Sequence, residues 1–113
     1  MFTIKNRIWI ENKEEGNVLL GHGRVQLLLA IQEEGSLSKA AKTLQMSYKK
    51  AWDLVNSINT AGKEPLVTLQ TGGKKGGGAT LTSYGSKFVE TFQQIEYNSQ
   101  QFLRKQEKLM NNI

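Results

Sequence analysis

The stretch from Ser36 to Asn59 constrains the fold most, because it holds two helix-starting serine positions with only a short break between the helices that they open. Ser36 or Ser38 is placed to cap a helix of about eight residues through Leu37, Ala40, Ala41 and Leu44, and its two alanines let a neighbouring helix come close. Gln45-Met46-Ser47 then interrupts the pattern, and Ser47 is placed to cap a further helix from Tyr48 to about Asn59. On that helix Ala51, Leu54, Val55 and Ile58 recur at spacings of three and four and share a face. Lys49, Trp52, Asp53 and Asn56 fall on the other side, a polar, aromatic and partly basic surface.

The flanking segments extend this unit into a domain. Val25, Leu27, Leu28, Leu29 and Ile31 fit a buried helix over about 23–34, and Gly35 suits a left-handed cap behind it. Upstream, the partial alternation of Phe2, Ile4, Ile8 and Ile10 predicts a strand over residues 2–10, with a short return strand at Val18 to Leu20. Downstream, the period changes: Leu66, Val67 and Leu69, then Ala79 and Leu81, read as two strands on either side of the glycine-rich stretch 72–78. From Tyr84 the apolar residues Phe88, Phe92, Ile95, Phe102, Leu103 and Leu109 recur at roughly helical spacing. A last helix over about 83–110 is therefore expected, long enough at about 40 Å to project beyond a compact body.

Helix, short helix, break, capped helix and hairpin is the order of a winged helix-turn-helix. The expected architecture is mainly α with a small β wing: one domain over 1–113, with the helix-turn-helix at about 36–60, the wing at about 66–82 and a long C-terminal dimerisation helix. In such a unit Ser36, Ser38 and Lys39 lie where the second helix meets a DNA backbone. Ser47, Tyr48, Lys49, Lys50, Trp52, Asp53 and Asn56 lie on or beside the helix that enters the major groove. Lys49 suits guanine acceptors, Asn56 suits adenine, and Asp53 can accept from cytosine. Lys74 and Lys75 would bring charge to a phosphate from the wing, and the glycines around them would permit close backbone approach. The exposed surface of Phe92, Ile95, Phe102, Leu103 and Leu109 would form a seam with a second copy.

Charge supports this partner class. The 113 residues carry a net +5, yet residues 36–87 hold eight lysines against Asp53 and Glu64, while the remainder has seven basic and eight acidic residues. The basic excess therefore belongs to the helix-turn-helix and wing. A protein-interaction module engaging an acidic partner through the same surface is the alternative, and the salt dependence of duplex binding separates the two.

The strings Gly35-Ser36-Leu37-Ser38-Lys39-Ala40-Ala41-Lys42, Met46-Ser47-Tyr48-Lys49-Lys50-Ala51-Trp52-Asp53-Leu54-Val55-Asn56, Thr71-Gly72-Gly73-Lys74-Lys75-Gly76-Gly77-Gly78-Ala79 and Leu81-Thr82-Ser83-Tyr84-Gly85 resemble the N-terminal DNA-binding domain of ModE-type molybdate-responsive transcriptional regulators. The similarity spans about residues 20–95, and the wider relation is to LysR-type winged domains. The resemblance implies a dimer on operator DNA that controls molybdate-transport and molybdoenzyme genes. It also places Ser47, Tyr48, Lys49 and Trp52 at recognition-helix positions and Lys74 and Lys75 at the wing. Regulators of this type continue into a C-terminal oxyanion-binding region, whereas residues 1–113 finish on the long helix, so molybdate is not expected to bind this chain.

Other chemistries find little support. With no cysteine there is no thiol nucleophile, disulfide or zinc ribbon. In the glycine-rich stretch Gly76 follows Lys75 where a nucleotide-binding loop needs Ser or Thr. His22, expected in a loop, has no metal-ligand partner at useful spacing, and Glu33-Glu34 at a helix end points into solvent, so neither a metal nor an enzyme is expected. No cofactor is expected. No apolar run approaches the ~18 residues of a membrane span, and the N-terminus has no signal-peptide pattern, so a cytoplasmic protein without a membrane partner is expected.

Overall fold

A computed structural model describes residues 1–70 and 78–113. Its elements in chain order are β1 (Ile10–Glu11), β2 (Val18–Leu20), α1 (His22–Glu34), α2 (Leu37–Thr43), α3 (Tyr48–Ala61), β3 (Val67–Gln70), β4 (Gly78–Leu81) and α4 (Ser83–Asn111). β1 pairs with β2, and β3 pairs antiparallel with β4 from Val67 opposite Leu81 to Gln70 opposite Gly78. This is the expected winged helix-turn-helix with a long last helix.

One core joins the three short helices to both hairpins. α1 contributes Val25, Leu27, Leu28 and Ile31, α2 contributes Leu37, Ala40 and Ala41, and α3 contributes Ala51, Val55 and Ile58. Leu20, Leu66, Val67, Ala79, Val89 and Phe92 complete it. Each buried side chain of Leu or Ile size stabilises the fold by about 1.5–3 kcal/mol. The alanines of α2 bring its backbone close to both neighbours.

Local signals end the elements where expected. Gly35 takes the left-handed φ of 67° and donates its N–H to the carbonyl of Ile31 at 2.8 Å. Its own carbonyl accepts from the N–H of Ala79 at 3.0 Å, tying β4 to the end of α1. Of the two serines able to start α2, Ser36 is the cap, accepting from the N–H of Lys39. The turn between α2 and α3 contains Gln45 at φ 56°, the one non-glycine residue of positive φ among those described.

Four expectations are corrected. Residues 2–10 are not a strand: only Ile10 pairs, and the preceding segment is an extended arm laid along the C-terminal half of α4. The N–H of Phe2 donates to Asn111 Oδ1 at 2.9 Å, that of Ile4 to Glu107 Oε2 at 2.7 Å, and Asn6 Nδ2 to Ser99 Oγ at 2.8 Å. Arg104 returns a bond to the carbonyl of Ile4. Phe92, expected on the seam, is only 1% exposed and belongs to the domain core, because α4 lies on the core over its first turns. Leu103 is half-buried on the arm-facing side, between Ser99 and Glu107 at four-residue spacings. His22 opens α1 rather than sitting in a loop, with Nδ1 3.9 Å from Glu96 Oε2.

Candidate nucleic-acid interface

α3 is held by its buried face and presents the opposite one. Ser47 accepts from the N–H of Lys50 at 3.1 Å and so fixes the first turn. From there Tyr48, Lys49, Lys50, Trp52, Asp53 and Asn56 are all exposed. Trp52 retains 44% of its surface and Tyr48 56%. Two aromatic side chains thus stand partly open beside lysines on one helix face. Lys49 Nζ donates to Asp53 Oδ2 at 2.9 Å, an exposed pair one helical turn apart. Two of the base-reading candidates are therefore engaged with each other in the free protein, and Asp53 offsets the charge of Lys49.

The other expected contacts lie around this helix. Ser38 and Lys39 are exposed on the first turn of α2, next to the capping Ser36. Lys74 and Lys75 fall outside the described residues; β3 and β4, which precede and follow that stretch in the sequence, pair with each other, and β4 lies beside α1 and α4.

Asn59 and Arg24, which help set this geometry, escaped the sequence reading, whereas Thr82 is one of the two residues, with Ser83, that the sequence offers as the start of the last helix. Asn59 joins α3 to the wing: its Oδ1 accepts from the N–H groups of Leu66 and Val67 at 2.9 and 3.0 Å, and its Nδ2 donates to the Val67 carbonyl at 2.9 Å. Thr82 caps α4 by accepting from Gly85 N–H at 2.9 Å and donates its hydroxyl to the Pro65 carbonyl at 2.8 Å. Arg24 lies across from α3 and donates Nη1 to the carbonyl of Val18 at 2.9 Å. Burial lowers the pKa of its guanidinium below the usual arginine value. None of these has a periodicity signal, since each acts through one side chain on distant backbone.

The fold and the exposed third helix define a winged helix-turn-helix DNA-binding domain. Residues 22–86 match the family described as "Bacterial regulatory helix-turn-helix protein, lysR family", and the chain belongs to that family. It is 39% identical over 94 residues to "Molybdenum transport protein ModE" of Azotobacter vinelandii, covering 83% of this chain and 35% of that protein. To "Transcriptional regulator ModE" of Yersinia pestis it is 49% identical over 69 residues, covering 61% of this chain and 26% of that one. The chain thus spans about a third or less of the length of these relatives. Among solved structures, the CbnR_DBD-DNA complex is similar in fold at a TM-score of 0.58 and 19% identity, covering 78% of this chain and 95% of that one. No helix among the described residues is long and apolar enough to cross a membrane.

Proposed function

We propose that the chain serves a ModE-type transcriptional regulator as its sequence-specific DNA-binding module, docking as a homodimer on a pseudo-palindromic duplex and linked to molybdate-transport or molybdoenzyme genes. The observation that carries this reading is the capped α3, whose Tyr48, Lys49, Trp52, Asp53 and Asn56 stand exposed opposite a fully packed face. α3 lies in the major groove with Asn56 and the Lys49–Asp53 pair at base edges. Ser36, Ser38 and Lys39 meet one stretch of backbone, and Lys74 and Lys75 meet another from the wing. The module works in the cytoplasm and performs no catalysis.

These residues do not bind molybdate. The cleft of about 610 Å³ between the arm, the start of α1 and α4 is faced by Arg7 and His22 but also by Glu96, a carboxylate that repels a dianion. Two measurements test the reading. Selection from a random duplex pool should return a two-fold site with half-sites about one helical turn apart or a multiple of it, and log K should fall steeply and linearly with log salt. A flat salt response with no preferred duplex would remove the reading in favour of an acidic protein partner.

A further inference from the structure

We infer that Arg24 and Lys50 form a second phosphate-binding station, on the flank of α3 that faces away from the wing. The inference rests on α3 being the groove-reading helix. The two flanks of α3 are distinguished by its own side chains. Asn59 bonds to the backbone of β3 and marks the wing side. Ser57 precedes it by two residues, about 200° around the helix, and Lys50 lies on the same strip as Ser57, two turns earlier.

Arg24 borders that strip from α1. With Lys50, Met46 and Leu54 it lines a cleft of about 320 Å³, and with Asn56, Ser57 and Thr60 it lines a second of about 470 Å³. Arg24 thus borders both the start of α3 and the stretch around Asn56, at the edge of the surface proposed to read bases. Its Nη1 bond to the Val18 carbonyl fixes it in place, and the remaining donors of the planar fork are suited to phosphate oxygens. No carboxylate pairs with Arg24 or Lys50 among the described residues, although Lys49, on the neighbouring strip, is paired with Asp53. A half-buried cation without an anionic neighbour carries a desolvation penalty that a bound phosphate offsets. A helix in the major groove runs between two backbones. The wing meets one of them; Arg24 and Lys50 are positioned for the other.

The test is duplex affinity as a function of salt, measured on one mixed-sequence duplex for the full chain and for Arg24→Gln, Arg24→Lys, Lys50→Gln and the distant Lys105→Gln. Arg24→Gln and Lys50→Gln should each make the log–log slope shallower by about one per protomer, and Arg24→Lys should retain it, as should Lys105→Gln. On a selected site, replacing the phosphate that meets Arg24 by a neutral methylphosphonate should weaken the native chain more than it weakens Arg24→Gln. If Arg24→Gln does not fold, Lys50→Gln carries the test, since its side chain is exposed. A steep native slope that both variants keep, at unchanged affinity, overturns the inference alone. A flat native slope overturns it together with the DNA-binding reading.

Discussion

Gly85 has the least room for a side chain of any described glycine. A Cβ placed there would stand 2.1 Å from the carbonyl oxygen of Leu66, at the point where α4 crosses the entry to β3. The same junction holds the Thr82 cap, the Thr82 N–H bond to Leu66 and the bond from the Lys63 N–H to the Tyr84 hydroxyl at 3.2 Å. The Leu81-Thr82-Ser83-Tyr84-Gly85 string is therefore a fastening between wing and last helix. Gly85→Ala should destabilise by roughly 3 kcal/mol, because backbone rather than a flexible side chain must move, and a thermal melt reads this directly. Asp53→Asn should behave in the opposite way. Breaking an exposed pair changes stability by only a few tenths of a kcal/mol, whereas removing a negative charge from the face of α3 proposed to meet the polyanionic duplex should tighten binding to duplexes generally. Anisotropy titrations against duplexes differing at single base pairs check this. A loss confined to one base pair would mean that Asp53 reads a base itself.

At the scale of elements, the helices were legible because burial is written into period: Ala51, Val55 and Ile58 recur on the buried face of α3, and Ser47 caps it as expected. What period does not carry is the identity of the partner surface. Phe2, Ile4 and Ile8 alternate as a strand does, yet most of that stretch lies along α4 through bonds to Ser99, Glu107 and Asn111, more than ninety residues later in the chain. Phe92 shares the apolar spacing of the projecting helix, but it falls within the part of α4 that the core covers. The exposed face of α3 was legible as a list of side chains. The devices that aim it, Asn59 and Arg24, were not, because single polar residues near helix ends look alike whether solvated or bonded to backbone. The two elements proposed to face DNA should also separate by experiment. Lys74→Ala with Lys75→Ala should weaken every sequence uniformly, while Asn56→Ala should relax choice at one base pair by about 1–3 kcal/mol. Competition titrations against single-substitution duplexes distinguish the two, and a reversed pattern would exchange the assigned roles.

The molecule as a whole measures 63 × 32 × 22 Å, and its long axis reflects the 29 residues of α4, about 43 Å of helix at 1.5 Å per residue. The arm covers one side of this projection and half-buries Leu103, but leaves Ile95, Phe102 and Leu109 at 44%, 61% and 70% exposure. These three follow one another at intervals of seven residues, and Phe88, half-buried against the core, stands seven earlier. A strict seven-residue repeat keeps one stripe facing a partner helix, the pattern by which two helices supercoil. In water such a stripe favours burial against a second copy, and two copies would place two α3 helices on one duplex. Phe102→Glu sits in the middle of the stripe, outside the domain core, and should leave the melt of the globular part nearly unchanged. Sedimentation should shift from dimer to monomer. Affinity for a two-fold site should then fall toward that of one module, by about 10²–10⁴-fold if the two copies act bivalently. A dimer that survives Phe102→Glu and Leu109→Glu together would place the seam on another face, with the arm of residues 1–9 the next surface to change.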